Sequence, residues 1–533
     1  MRRKLTWALC SLALVPAVFL PLRATLRTDG AVLFEDVRAR VLGGAVDSLS
    51  DDQLWERAAR GLVDRLDDPY ADLYSPEQLA SFNRNSLRND YGGVGMGIQD
   101  QLGTVVVTTV YPGTAAAGGG VQAGDRIVKV DGVATTGMRL DEVSGRLVGA
   151  PGSEVRVEFV RPGVREPIAM RFVRSKVHIP AVPYAIVLEG NIGYIPLQRF
   201  NDAAAAEVGG AIARLRAKNV GGLILDLRGN PGGSVNEAIG ISDLFLKPGQ
   251  EIVTVRYRDR EPEIHRSGAA TKAAPAAARP AGSAPLVVLV DGDAASAAEI
   301  VAGALQDHDR ALVVGTTSFG KGLVQSIYPL RQGWALKLTT AKWYTPSGRS
   351  IQRERVMRNG RLVAAAPDSL ETDSARLARP AYRSDAGRIV YGGGGIAPDV
   401  VVPADTITTV EQNLLKAIAP KSQQTWRTLY DLALEVKGTV RPGFAVPAAW
   451  RDSLFVRLER AGAPLPRAQY DSAGALVDRL IGQQVATFAF GDSAAFRRLV
   501  PLDTQLVHAL ELLQNARSQE SLFATALAEK RAG

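Results

Sequence analysis

Leu286-Val-Val-Leu-Val-Asp-Gly-Asp-Ala-Ala-Ser-Ala-Ala-Glu-Ile-Val-Ala-Gly-Ala-Leu-Gln-Asp307 changes its period part-way along. The run from Leu286 to Val290 is wholly apolar and made of β-formers, which predicts a short buried strand. From Ala294 to Gln306, alanine, isoleucine and leucine recur at helical spacing, which predicts a helix. Ser296 falls at the junction. There the free N–H groups and the positive end of the helix dipole face whatever a hydroxyl attacks, which suits a developing oxyanion.

Working outward, the same alternation recurs. Asn191 to Pro196 reads as a strand, Ala203 to Lys218 as a helix, and Gly222 to Arg228 as an apolar strand running into Gly229-Asn-Pro-Gly-Gly233. Another helix is expected from about Val235. Strand and helix in turn predict an α/β core, built partly from βαβ units, over 178–405. Two inserts interrupt it: the low-complexity Ala/Pro segment 266–284, expected to stay in solvent, and the polar, aperiodic segment 352–388. Upstream, 91–177 carries short alternating runs (Thr104 to Val110, Asp125 to Val130, Glu154 to Arg161, Ile168 to Val173) separated by turn signals, so a small β-rich domain is inserted ahead of the core. The flanks, 30–90 and 406–533, have helical periodicity, and the second carries no readable role.

Composition narrows the function. The 533 residues are 46% hydrophobic and carry a net charge of +8 that is spread along the chain, with no basic block beyond Arg2-Arg-Lys4, which speaks against nucleic-acid binding. The single cysteine, Cys10, excludes an intramolecular disulfide and a thiolate metal cluster, and nothing else points to a metal or cofactor. Met1-Arg-Arg-Lys4 followed by the apolar Leu5 to Leu22, with Pro16 and Pro21 inside it, makes 1–24 a signal peptide or membrane anchor. The rest of the chain is then expected in the periplasm or cell envelope, anchored at the inner membrane, with cleavage of the segment as the alternative.

A serine nucleophile needs a base. The chain has four histidines, none in a motif-like setting, and His308 lies about three turns from Ser296 at the far end of the predicted helix. Lys321, in Ser318-Phe-Gly-Lys-Gly322, is the better candidate. Its flanking glycines allow a close turn, and Phe319, Leu323 and Val324 offer apolar surroundings that would lower an amine pKa.

The strings Asp293-Ala-Ala-Ser-Ala-Ala-Glu-Ile-Val-Ala-Gly-Ala-Leu-Gln-Asp307 and Thr317-Ser-Phe-Gly-Lys-Gly-Leu-Val-Gln325 together resemble the two signatures of the carboxy-terminal processing (tail-specific) serine proteases. The resemblance makes Ser296 the nucleophile, Lys321 the general base and Gln325 a residue that orients the amine. Where the family's commonest form has further serines, this chain has Ala294 and Ala298, so Ser296 is the one hydroxyl in the run. Asp226-Leu-Arg-Gly-Asn-Pro-Gly-Gly233 is similar to the family's oxyanion turn, which implies that the amide of Gly232 or Gly233 joins that of Ala297. Tyr344 to Ile351 and Gly392 to Asp399 resemble closing elements of the same domain.

The region 91–177 resembles a PDZ domain through Gly93-Val-Gly-Met96 and Gly124-Asp-Arg-Ile-Val-Lys-Val-Asp-Gly132. Val94, Gly95 and Met96 would form the loop whose successive N–H groups hold a terminal carboxylate, with the peptide added as an extra strand. These resemblances imply an endopeptidase that takes protein or peptide substrates by a free apolar C-terminus and needs no cofactor. A homo-oligomer or an activating partner stays open. The alternative is a PDZ adaptor that binds tails of envelope proteins without cutting them. An acyl-thioester enzyme on a related α/β fold is weaker, having no use for a carboxylate reader.

Overall fold

A computed structural model describes residues 29–83, 90–101, 103–162, 164–268, 284–358, 361–364, 373–405 and 407–532. The segment 1–24 expected to be a signal or anchor, and most of the Ala/Pro insert, lie outside these residues. Among the described residues, no helix is long and apolar enough to cross a membrane. The chain divides into two compact units between Asp67 and Asp68.

The first unit is a pair of helices, Asp29–Gly44 and Asp51–Asp64. The second helix starts at a capping box: Gln53 N–H donates to Ser50 Oγ at 3.2 Å and Ser50 N–H to Gln53 Oε1 at 3.0 Å, satisfying two otherwise orphaned donors. Phe34 and Trp55 meet at 5.5 Å between ring centroids, and Arg38 pairs with Glu35 and Asp51.

In the second unit, the apolar run Leu286–Val290 lies inside a six-stranded sheet, between Gly222–Asp226 and Leu312–Gly315. Ile192–Pro196 follows Gly222–Asp226 outward, then Ile186–Leu188, and Val400–Val401 closes the other edge. All neighbours pair in parallel except the outermost Ile186–Leu188. A strand with no polar face needs cover on both sides. One side is covered by the helices Ala204–Arg216, Val235–Asp243 and Ala297–Asp307, whose buried Val208, Ile212, Ile241, Val301 and Leu305 pack with Leu225, Val288 and Val290. The other side is covered by the C-terminal region, where Leu506, Leu510 and Leu513 of the helix Thr504–Gln514 join Ile192, Ile224, Val287 and Leu289.

A second, antiparallel sheet centres on Ala335–Tyr344, flanked by Glu251–Tyr257, Leu323–Pro329 and the short Asp72–Tyr74. The described residues of the polar segment 352–388 carry more regular structure than their composition indicates. It contains a hairpin of Arg355–Arg358 with Arg361–Ala364, and Ala381–Arg383 pairs with Ile389–Tyr391. Backbone pairing there draws on main-chain groups that every residue has, so apolar alternation is not required.

The sheet of the β-rich region 91–177 runs in the order Met96–Gln101, Thr104–Val110, Arg126–Val130, Glu154–Val160, Ile168–Val173. Its core gathers Val107, Ile127, Val157, Phe159 and Phe172 with Val143 and Leu147 of the helix Leu140–Leu147. The helix Ser422–Val436 docks on this domain: Asp431 pairs with Arg126 at 2.9 Å, and Leu434 lies so close to Gly124 that a Cβ there would meet its Cδ1 at 2.3 Å.

Candidate active site

The strand Leu286–Val290 ends in a turn held by Asp291, whose Oδ1 accepts from Ala294 N–H at 2.9 Å and from Gly229 N–H at 2.9 Å. The helix then begins at Ala297, directly after Ser296. Ser296 has φ 54° and ψ −110°, a conformation an L-residue adopts at a cost of about 1–3 kcal/mol and only where its surroundings enforce it.

Glu299 is the main enforcer. Its side chain is 1% exposed and accepts four hydrogen bonds: from Ser296 N–H at 2.8 Å, Lys321 N–H at 2.8 Å, Gly320 N–H at 2.6 Å and Ser318 Oγ at 2.5 Å. One carboxylate thus ties the serine turn to the lysine loop. Burial holds the Glu299 pKa above the ordinary carboxylate range, and the four donors oppose that rise without cancelling it. Since every acceptor direction is met by a donor, the ionised carboxylate is the form that fits. The Ser-x-x-Glu spacing of a capping box was the sequence signal for this role, which sequence reasoning missed.

Ser296, Lys321, Gln325, Gly232 and Gly233 line one cavity of about 820 Å³. Tyr70, Phe82, Arg199 and Lys337, which the sequence did not single out, line it too. Lys321 Nζ sits 4.8 Å from the centroid of the Tyr70 ring and makes no hydrogen bond to Ser296 among the described residues. Burial, and after it the like charge of Lys337, hold the Lys321 ammonium below the ordinary lysine range, while Glu299 and Asp68 oppose the shift. Lys337 Nζ donates to Tyr74 OH at 2.7 Å.

Gln325 shares the cavity, but its amide donates to Thr339 Oγ1 at 3.2 Å and not to Lys321. The strand Leu323–Pro329 does not alternate regularly, because a bulge shifts its register between Val324 and Gln325. Leu323, Val324, Gln325 and Ile327 consequently all reach the cavity wall. His308 caps the far end of the Ser296 helix and contacts Asp385 and the Glu251 carbonyl, both at 2.7 Å.

The turn after Gly222–Asp226 is locked from both ends. Arg228 pairs with Asp226 and with Asp503, each at 2.7 Å, and Asn230 Nδ2 donates to the Leu197 carbonyl at 2.7 Å. Asn230 also passes its carbonyl to Ala295 N–H at 2.9 Å, setting this turn beside the serine. Gly232, at φ 94°, is packed so tightly that a Cβ would come within 2.7 Å of the Ala295 carbonyl and 2.9 Å of Ser296 Cβ. Its N–H is committed to Asn230 Oδ1 at 2.9 Å, whereas those of Gly233 and Ala297 have no acceptor among the described residues.

Val94, Gly95 and Met96 are not in this cavity. Val94 and Met96 bury their side chains in the core of the β-rich domain, and Gly95, at φ 89°, accepts from Tyr111 N–H at 3.0 Å through its carbonyl. Met96–Gln101 is the terminal strand of its sheet, so one side of its backbone has no strand neighbour among the described residues.

The model of peptidase family S41 matches residues 191–360, and that of the PDZ domain matches 106–161. A carboxy-terminal-processing protease of Bartonella bacilliformis is 38% identical over 326 residues, covering 60% of this chain and 72% of that protein. The chain belongs to peptidase family S41. It is a serine-type carboxy-terminal processing protease with a PDZ domain. The carboxy-terminal processing protease CtpA of Bacillus subtilis is 34% identical over 306 residues, 57% of this protease and 63% of that one. Among solved structures, a photosystem II D1 C-terminal processing protease aligns at 29% identity and TM-score 0.35, covering 64% of this chain and 92% of that one.

Proposed function

We propose that this protease captures the free, apolar C-terminus of an unfolded protein on its PDZ domain and cleaves a peptide bond with a Ser296/Lys321 pair. The observation that carries the reading is the Glu299 carboxylate, which fixes a strained serine and the backbone of a pKa-lowered lysine at the wall of one cavity. Neutral Lys321 takes the Ser296 proton as Oγ bonds to the carbonyl carbon. The resulting oxyanion is received by the N–H groups of Ala297 and Gly233. On collapse the C–N bond breaks and the Lys321 ammonium protonates the departing amine. Lys321 then takes a proton from water as the water oxygen bonds to the acyl carbon, the acyl–Oγ bond breaks, and Lys321 returns that proton to Ser296 Oγ. No cofactor enters these steps.

Lys321 over the Tyr70 ring is a resting arrangement in this reading: the amine swings from the ring to Ser296 when peptide arrives, and Gln325 leaves Thr339 to orient it. The terminal carboxylate sits on the backbone of Val94, Gly95 and Met96, with the tail added beside Met96–Gln101. The chain works in the cell envelope, held to the membrane by its N-terminal segment. A fluorophosphonate probe tests the site: mass spectrometry is expected to find the adduct on Ser296 in the parent and none in Lys321→Ala. Labelling that is unchanged in Lys321→Ala would remove Lys321 as the base.

A further inference from the structure

The walls of the Ser296 cavity carry three basic side chains, Arg199, Lys321 and Lys337, and no aspartate or glutamate among the described residues. Lys337 is held by Tyr74 OH, and Lys321 is the base in the reading above. Arg199 makes no such bond, though its charge acts on the Tyr111 phenol. Its Nε is buried without a hydrogen-bond partner, and the guanidinium takes part in no hydrogen bond or ion pair among the described residues. An orphaned buried N–H on a cation is costly to leave unmet, so a ligand that satisfies it is bound with preference.

Its place follows from the backbone. The neighbouring Phe200 donates its N–H to the Gly232 carbonyl at 3.1 Å and accepts from Ser234 N–H at 2.8 Å, forming a parallel bridge to Gly233. Arg199 is therefore one residue from the segment that braces the oxyanion turn, on the wall that carries Gly232 and Gly233. A guanidinium offers a planar fork of donors that matches a carboxylate.

We propose that Arg199 is a specificity residue that binds a carboxylate of the substrate beside the scissile bond, resting on the Ser296/Lys321 reading for which bond is cut. Two sources share that chemistry: an acidic side chain near the cleaved bond, or the terminal carboxylate of a short tail. The full chain and Arg199→Gln are assayed for kcat/KM on peptides that differ only by Glu or Gln at each position flanking the cut, each with a free and an amidated C-terminus. Binding of the same peptides to Ser296→Ala, with and without Arg199→Gln, is read by fluorescence anisotropy. The parent is expected to favour one carboxylate-bearing peptide over its amide by about tenfold to a hundredfold, and Arg199→Gln to bring that ratio close to one. Preference for Glu over Gln identifies a side chain, and preference for the free over the amidated end of the shortest peptides identifies the terminus. If neither preference exists, or if both survive in Arg199→Gln, the assignment is overturned while the cleavage reading stands. If no peptide is cut, the cleavage reading fails, and the binding ratios alone decide the assignment.

Discussion

Replacing Glu299 by glutamine keeps the shape of the side chain and removes two of its acceptor positions. The carboxylate meets four donors, from Ser296, Ser318, Gly320 and Lys321, at 2.5–2.8 Å. An amide oxygen keeps two of them, and its NH2 is left facing the other two. Two unmet buried donors at about 1–3 kcal/mol each give a loss of about 2–6 kcal/mol, concentrated at the contact between the serine turn and the lysine loop. Hydrogen exchange followed by mass spectrometry reads that contact directly. Peptides spanning 316–322 are expected to exchange at least about thirtyfold faster in Glu299→Gln, the equivalent of about 2 kcal/mol. Peptidase kcat/KM is expected to fall at least about tenfold, because the serine and the lysine no longer share one brace. A protonated Glu299 would behave differently, since a neutral carboxyl already carries one donor and glutamine would then replace it at little cost. Parental exchange and parental kcat/KM in Glu299→Gln would refute the ionised, four-acceptor brace.

Other substitutions separate strain, sterics and charge. Lys321 is held low by burial and by the charge of Lys337, so the acid limb of kcat/KM is set by its deprotonation, with activity gained as pH rises through the lowered pKa. Lys337→Gln removes a like charge, raises the Lys321 pKa and moves that limb to higher pH, and an unmoved limb would exclude the coupling. Ser296→Gly sheds a positive-φ side chain and is expected to gain about 1 kcal/mol in stability, read by denaturant unfolding, while losing all cleavage. Gly232→Ala pushes a methyl against the Ala295 carbonyl and Ser296 Cβ, displacing the serine turn, and is expected to lower kcat at least about a hundredfold.

Much of the α/β core is visible in the sequence because its strands are unbroken apolar runs. Leu286 to Val290 and Gly222 to Asp226 need no context to be read as buried. What covers their second face is invisible locally. Leu506, Leu510 and Leu513 form the stripe of any amphipathic helix, and nothing near them in sequence names partners such as Ile192, Ile224 and Val287, more than two hundred residues upstream. The hairpin at Arg355–Arg358 and Arg361–Ala364 was hidden for the opposite reason: arginines bound the first short run and open the second, and neither run alternates. At the site, glycines and small residues around Ser296 and Lys321 marked the two turns. The groups that tune them come from elsewhere: Tyr70 and Lys337 join the cavity from distant elements, and the bulge at Gln325 follows from pairing with Ala335–Tyr344. Glu299 differs in carrying a local signal, the Ser-x-x-Glu spacing three residues after the serine, although its bracing role went unread.

The most direct measurement is cleavage of an unfolded protein with an apolar tail by the parent, Ser296→Ala and Lys321→Ala, each with the substrate C-terminus free and amidated. Cutting by the parent alone, weakened when the tail is amidated, is the predicted result. Cutting by Lys321→Ala at the parental rate, or indifference to the amide, would contradict a Ser/Lys protease that reads the tail.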